Sequence, residues 1–166
     1  MKETRIISIK FEVYSSLNDL PNDEQDLLAS ARGALDNTHS IYSRFKVGAA
    51  IQLKNGDIIP GSNQENAAYG STICAERAAL MSLGSSGNKT EMQKLAVIGT
   101  GDDIETTSPV TPCGSCRQVI REYQDLSGEP TVILAAGSKG DIWRFPDGID
   151  SLLPLGFGPK DLGLTL

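Results

Sequence analysis

Cys113 and Cys116 stand three residues apart, Cys74 lies 39 residues upstream of Cys113, and Glu76 follows Cys74 by two. Thiolates suit zinc, which needs its ligands brought to about 2.3 Å. One helical turn apart, Cys113 and Cys116 can reach a single ion, whereas Cys74 must arrive from another element. Three cysteines form no even disulfide framework, so metal binding or thiol redox chemistry is the leading question. Structural zinc sites usually close with four protein ligands, whereas catalytic sites use three and leave a position for water. Other readings exist for each residue taken alone. A Cys-x-x-Cys is also a redox pair or half of a zinc ribbon. His39 could close a fourth position and make the site structural, although a His at a helix end is commonly solvated. Cys74 by itself reads as a small buried hydrophobe.

The chain that must position these groups has 166 residues, 39% of them apolar and 22% charged, the composition of one ordinary globular domain. Fifteen Lys and Arg against 21 Asp and Glu give a net charge of −6, with no basic run able to track a phosphate backbone, so no polynucleotide partner is expected. The longest aliphatic stretch, near Val132 to Ala136, is far short of a membrane span, and Met1 to Arg5 leads into no apolar leader segment. No membrane association is expected, and the expected location is the cytoplasm.

From Ile6 to Tyr14, apolar Ile7, Ile9, Phe11 and Val13 alternate with polar residues, which predicts a half-buried strand. Asn22 with Gln25 reads as a capping box opening an amphipathic helix of Leu27, Leu28, Ala31, Ala34 and Leu35, ending near Thr38. Val47 to Leu53 and Ile58 to Ile59 flank Asn55-Gly56, a hairpin signal with a type I′ turn. A second helix is predicted from Ile73 to Leu83, stopped by Gly84, and Leu95 to Gly99 is a short buried strand. Thr111-Pro112 sets an N-cap and a first-turn proline before a helix over Cys113 to Tyr123. Thr131 to Ala136 and Asp141 to Phe145 complete the strands. This order predicts a three-layer α/β/α sandwich around a mixed central sheet.

The combination of Cys74-Ala75-Glu76 with Pro112-Cys113-Gly114-Ser115-Cys116 outweighs the separate readings, because it is the zinc deaminase signature, in which the Glu is a proton shuttle rather than a ligand. At these residues the chain resembles the cytidine deaminase family in its small homotetrameric form with three cysteine ligands. Further marks are Tyr42 to Ala50, Asn63 to Tyr69, Arg77, Arg117-Gln118, and Leu152-Leu153-Pro154 leading to Phe157-Gly158-Pro159.

The resemblance implies one Zn²⁺ per chain on Cys74, Cys113 and Cys116, with Glu76 as the general acid and base. It implies nucleoside contacts from Phe45, Asn63, Glu65 and Ala75, with Phe157 reaching the site of a neighbouring subunit in a homotetramer. The implied reaction is hydrolytic deamination of cytidine and 2′-deoxycytidine. Other cytosine nucleosides are the alternative substrates, and a zinc-stabilised or redox module is the alternative class. Three thiolates leave the Zn²⁺ site with a net charge of −1, so positive groups must compensate. Helix N-termini at Cys74 and Cys113, each equivalent to about half an elementary charge, and the neighbouring Arg77 are the candidates. The sequence departs from the family pattern at Ile41, often Pro, and Thr111, often Ser. Residues 1–21 are expected to form an extension carrying an extra strand, and 22–166 the deaminase domain.

Overall fold

Apolar runs without alternation, at Leu95 to Ile98 and Ile133 to Ala136, need burial on both faces of a sheet, and the computed structural model, which describes residues 1–165, provides it. Six strands, β1 (Glu12–Tyr14), β2 (Phe45–Leu53), β3 (Ile58–Ser62), β4 (Met92–Gly101), β5 (Val132–Ala136) and β6 (Ile142–Phe145), form one sheet in the order β1-β6-β5-β4-β2-β3. Only β4 and β5 run parallel. A parallel pair requires a crossover, and the helix α3 (Gly114–Ser127) supplies it.

Alternate residues of each central strand enter separate cores. Leu95, Val97, Ile133 and Ala135 pack beneath α2 (Ala75–Ser85), α3 and the short α4 (Ile149–Leu152). Ala96, Ile98, Leu134 and Ala136 pack under Leu27, Leu28 and Ala31 of α1 (Asn22–Gly33). This is the three-layer architecture with a mixed sheet. β3 comes so close to α2 that a Cβ on Gly61 would stand 2.4 Å from the Ala75 carbonyl oxygen, so only glycine lets the start of α2 seat there.

Local expectations fail where tertiary partners intervene. The N-terminal strand is three residues long, not nine, because its only neighbour, β6, is itself four residues long. Its inward face is also reversed. Ile7, Ile9, Phe11 and Val13 are exposed, while Tyr14 packs on the α1 core and Phe11 lies 5.0 Å, centroid to centroid, from Trp143. The capping box on α1 does not form: Pro21 is the N-cap, and the Gln25 amide donates to the Leu20 carbonyl at 2.8 Å. The hairpin turn is not type I′, since Gly56 has φ +91° and Asn55 has no positive φ. The Gly56 N–H donates to Leu53 O at 2.9 Å, closing a type I turn followed by a left-handed glycine. Ile73 pairs with Gln64 instead of starting α2, and Gly84 lies within that helix. Thr111 does not cap α3, because its hydroxyl accepts from Arg117; Cys113 takes the N-cap.

Glu24 of α1 is 1% exposed. Arg144 of β6 grips it with both ends of its guanidinium fork, at 2.9 and 3.1 Å, and Lys94 of β4 donates at 3.2 Å. Arg144 also reaches Glu12 at 3.0 Å, which ties β1 to the same knot, and Lys94 pairs with Asp23. A buried carboxylate with two cationic partners is costly to remove, because the cations then remain buried and uncompensated. Glu24→Ala is expected to cost about 3–5 kcal/mol of unfolding free energy, read from urea denaturation, with Glu12→Ala costing far less because that carboxylate is partly exposed.

Candidate metal and catalytic centre

The pairing of Ile73 with Gln64 holds the chain extended up to Cys74, which becomes the N-cap of α2. Cys113 is the N-cap of α3, and Cys116 sits one turn into the same helix. Two helix N-termini therefore converge on one point, each offering its partial positive charge to sulfur. The three Sγ atoms lie within 4.8 Å of one another, and Cys74 and Cys113 are 4.0 Å apart. A tetrahedral zinc at about 2.3 Å from each sulfur places neighbouring sulfurs about 3.8 Å apart, close to the 4.0 Å between Cys74 and Cys113, so the chemistry and grouping of these donors suit the ion. Cys116 is buried, Cys74 half-buried and Cys113 exposed, so the cluster has a closed side and an open side. His39 stands outside it, exposed, with its backbone bridging Asn63 and Glu65.

The first compensating charge is Arg77. Its Nη2 donates to the Thr72 carbonyl at 3.0 Å and to Cys74 Sγ at 3.6 Å. Hydrogen bonding from Cys116, together with Arg77, pulls the Cys74 thiol down to about 5 against the opposing effect of burial. Glu76, two residues into α2, is 4% exposed, and its carboxyl is pushed upward chiefly by burial and further by the Cys74 charge. A carboxyl so placed holds a proton more readily than an exposed one.

The open side of the thiol cluster faces a cavity of about 280 Å³, bordered by Phe45, Val47, Asn63, Glu76 and Thr111 as well as Cys74 and Cys113. Its apolar wall and few polar groups suit a flat heterocycle. Asn63 is fastened in place: its Oδ1 accepts from Val47 N–H at 2.9 Å and its Nδ2 donates to Phe45 O at 3.0 Å. Glu65 performs the same service two residues on, its Oε2 accepting from the N–H groups of Tyr42 at 2.8 Å and Ser43 at 3.1 Å. Although burial works against it, the Ser43 hydroxyl and these amides hold the Glu65 carboxyl below its ordinary range. Both residues thus brace the loop that carries Phe45.

The expected residues are not all gathered in one place. Phe45, Asn63, Cys74, Glu76 and Cys113 border the cavity, with Cys116 beneath and Ala75 fully buried at the start of α2. Glu65 is bonded to the backbone of Tyr42 and Ser43 at the approach to Phe45 and does not itself line the cavity, and Phe157 lies beyond α4 on the C-terminal tail, 58% exposed. Sequence reading missed Thr72 and Val110 as lining residues. Thr72 precedes Cys74 by two and has a buried hydroxyl that finds no partner among the described residues. Val110 arrives from the loop after β4 and carried no signal in its residue type.

A three-thiolate cluster at two helix N-termini, beside a buried carboxyl and an apolar cleft, defines a zinc hydrolase of the deaminase class. The model of the cytidine and deoxycytidylate deaminase zinc-binding region matches residues 21–127, and the chain belongs to that family. It is 39% identical over 140 residues to the cytidine deaminase of Halalkalibacterium halodurans, covering 84% of this chain and 98% of that one. It is 35% identical over 144 residues to the cytidine deaminase of Mycobacterium tuberculosis, covering 86% and 96%. The crystal structure of cytidine deaminase from Burkholderia pseudomallei superposes with a TM-score of 0.70 at 36% identity, over 80% of this chain and 97% of that one. Zinc is accordingly the cofactor of this chain.

Replacing Arg77 with Met keeps the length of the side chain and removes the donor to Cys74. Arg77→Met is expected to weaken zinc retention about 10- to 100-fold, measured by competition with a chromophoric chelator, while the metal-free melting temperature changes little.

Proposed function

We propose that the chain hydrolyses cytidine and 2′-deoxycytidine to uridine and 2′-deoxyuridine, releasing ammonia. The observation that carries this reading is the Glu76 carboxyl, buried and raised, in the same 280 Å³ cavity as Cys74 and Cys113. The relatives named cytidine deaminase, which align over most of both chains, support the choice of substrate.

Zinc on Cys74, Cys113 and Cys116 supplies the Lewis acid that makes water a nucleophile at neutral pH. The remaining work falls to the chain's own groups. Water adds to C4 of the base, the C4–N4 bond breaks, and each change requires a proton to move. Glu76 gives a proton to N3, making C4 electrophilic, and takes one from the attacking water. It then hands that proton to N4 and takes the remaining proton of the added water from the C4 hydroxyl as the C4–N4 bond breaks, so that ammonia leaves, C4 becomes a carbonyl and the carboxyl returns to its protonated starting state. Burial suits it to this traffic because its two protonation states are brought closer in free energy. Phe45 stacks on the pyrimidine, and Ala75 contributes contact from the start of α2. Asn63 and Glu65, already braced by the Phe45 loop, present their remaining hydrogen-bonding capacity to the sugar hydroxyl.

The reading extends to assembly and place. Phe157 is exposed and does not line its own cavity, and we take it to close the cavity of a neighbouring copy in a cytoplasmic homotetramer.

Glu76→Gln keeps the volume and hydrogen bonding of the side chain but moves no proton. Its turnover of cytidine is expected to fall at least about 10²- to 10⁴-fold with zinc content unchanged, followed by the loss of nucleoside absorbance and by metal analysis. Near-normal turnover would remove Glu76 from the reaction.

The shared site has its own test. A Phe157→Ala chain keeps Glu76, and a Glu76→Ala chain keeps Phe157 to lend. Co-expression of the two is expected to give mixed oligomers more active than the sum of the separate variants. Additivity in a sample shown by mass to contain both chains would confine Phe157 to its own subunit.

A further inference from the structure

The two residues that follow the last zinc ligand in sequence connect the zinc loop to the C-terminal tail. Arg117 uses all three of its nitrogens. Nε donates to Pro112 O at 2.7 Å and Nη2 to Thr111 Oγ1 at 3.1 Å, both in the loop leading into Cys113, while Nη1 donates to Leu152 O at 2.7 Å, at the end of α4. The ligand loop and the root of the tail are therefore fastened to one planar group. Gln118 then reaches further out, its Nε2 donating to the carbonyl of Phe157 at 2.9 Å.

The tail between these anchors is bonded through its main chain. The Gly156 N–H donates to Leu153 O at 3.1 Å and the Gly158 N–H to Asp161 Oδ2 at 2.8 Å. Leu155 takes a left-handed backbone with φ 60° although its side chain is 91% exposed. A non-glycine residue adopts that conformation only where the surroundings impose it, and here the imposition comes from the backbone path, since the side chain packs on nothing. The Phe157 ring, 58% exposed, has a fixed backbone and an open face. An aromatic residue held in this way loses little conformational freedom when a second surface covers it.

We infer that Gln118 is a positioning residue, which presents the ring of Phe157 to the nucleoside cavity of a neighbouring copy, with Arg117 tying the tail to the zinc loop of its own chain. The inference rests on the reading of Phe157 as a shared residue. Its physical content is pre-organisation: the bond from Gln118 to Phe157 O selects one tail conformation before the copies meet. Because Gln118 acts through Phe157, its loss is felt in the site next door. The zinc centre of the same chain keeps Arg117 and all three thiols.

The test uses Gln118→Glu, which is isosteric but has no N–H to donate, and Gln118→Lys, which restores a donor. In the zinc-loaded protein Gln118→Glu is expected to raise KM for cytidine about threefold to tenfold, the size of one lost hydrogen bond, with kcat changed less. Zinc content and melting temperature stay at the parent values, and Gln118→Lys recovers most of the KM. Mixed oligomers of Gln118→Glu with Glu76→Gln chains supply the decisive readout. The Gln118→Glu chain owns a competent Glu76, and its partner owns a correctly held Phe157, so a fraction of sites with the parent KM appears. If the raised KM persists undiminished in oligomers shown by mass to contain both chains, Gln118 acts within its own subunit and the inference falls. It falls equally if Gln118→Glu has the parent KM while Phe157→Ala does not. A Phe157→Ala variant with the parent KM would instead overturn the shared-residue reading and the inference with it.

Discussion

Two helices begin at the same point, and that convergence is the constraint on which the remainder of the structure turns. Left alone, the N-termini of α2 and α3 would repel each other, since each carries about half a positive charge and several unpaired N–H groups. Cys74 and Cys113 occupy both N-caps, so thiolate charge sits where the helix dipoles favour it. Three thiolates overcompensate a divalent ion by one unit; two helix ends and Arg77 redress it. Cys116 meanwhile belongs to the hydrophobic core beneath the helices, so the metal centre and the packing of α3 against the sheet are one object. The close seating of β3 on α2 at Gly61 then sets how far that object stands from the cavity wall.

The opposite wall carries Phe45 and Val47, at the start of β2. Tyr42, Ser43, Phe45 and Val47 all surrender backbone groups to the side chains of Asn63 and Glu65. Two polar residues thus act first as braces, and their role toward a ligand builds on a position already fixed. This economy has a physical basis: a carboxylate or amide held by two short backbone bonds has lost its rotational freedom before substrate arrives. Glu76 is prepared differently, by burial, which disfavours its charged form and readies it to carry a proton.

On the far face of the sheet a separate electrostatic knot does purely structural work. Glu24, Lys94, Arg144 and Glu12 join α1, β4, β6 and β1, so the N-terminal strand has one ion pair in addition to its three-residue ladder. The family match begins at residue 21, and β1 lies before it, added to the edge of the sheet beside β6.

What could be read from the residues alone was whatever depends on local spacing. A thiol pair one turn apart, a third thiol two residues before a Glu, the periodic helices and the apolar strands all carry their meaning within a few residues, and the structure contains each of them. What the tertiary structure decided depends on partners far away in the chain. The alternation of Ile7, Ile9, Phe11 and Val13 marked a strand but left its buried side open; the ladder to β6 takes in Glu12 to Tyr14, and it is Tyr14 that packs on the α1 core. Glu24 looked like an ordinary first-turn acid until two cations from β4 and β6, 70 and 120 residues away, closed over it. Thr72 and Val110 became cavity walls because strands and loops brought them there. The bond from Gln118 to Phe157 spans 39 residues. Burial and long-range hydrogen bonding are properties of the assembled chain, and no spacing rule along the sequence encodes which groups will meet.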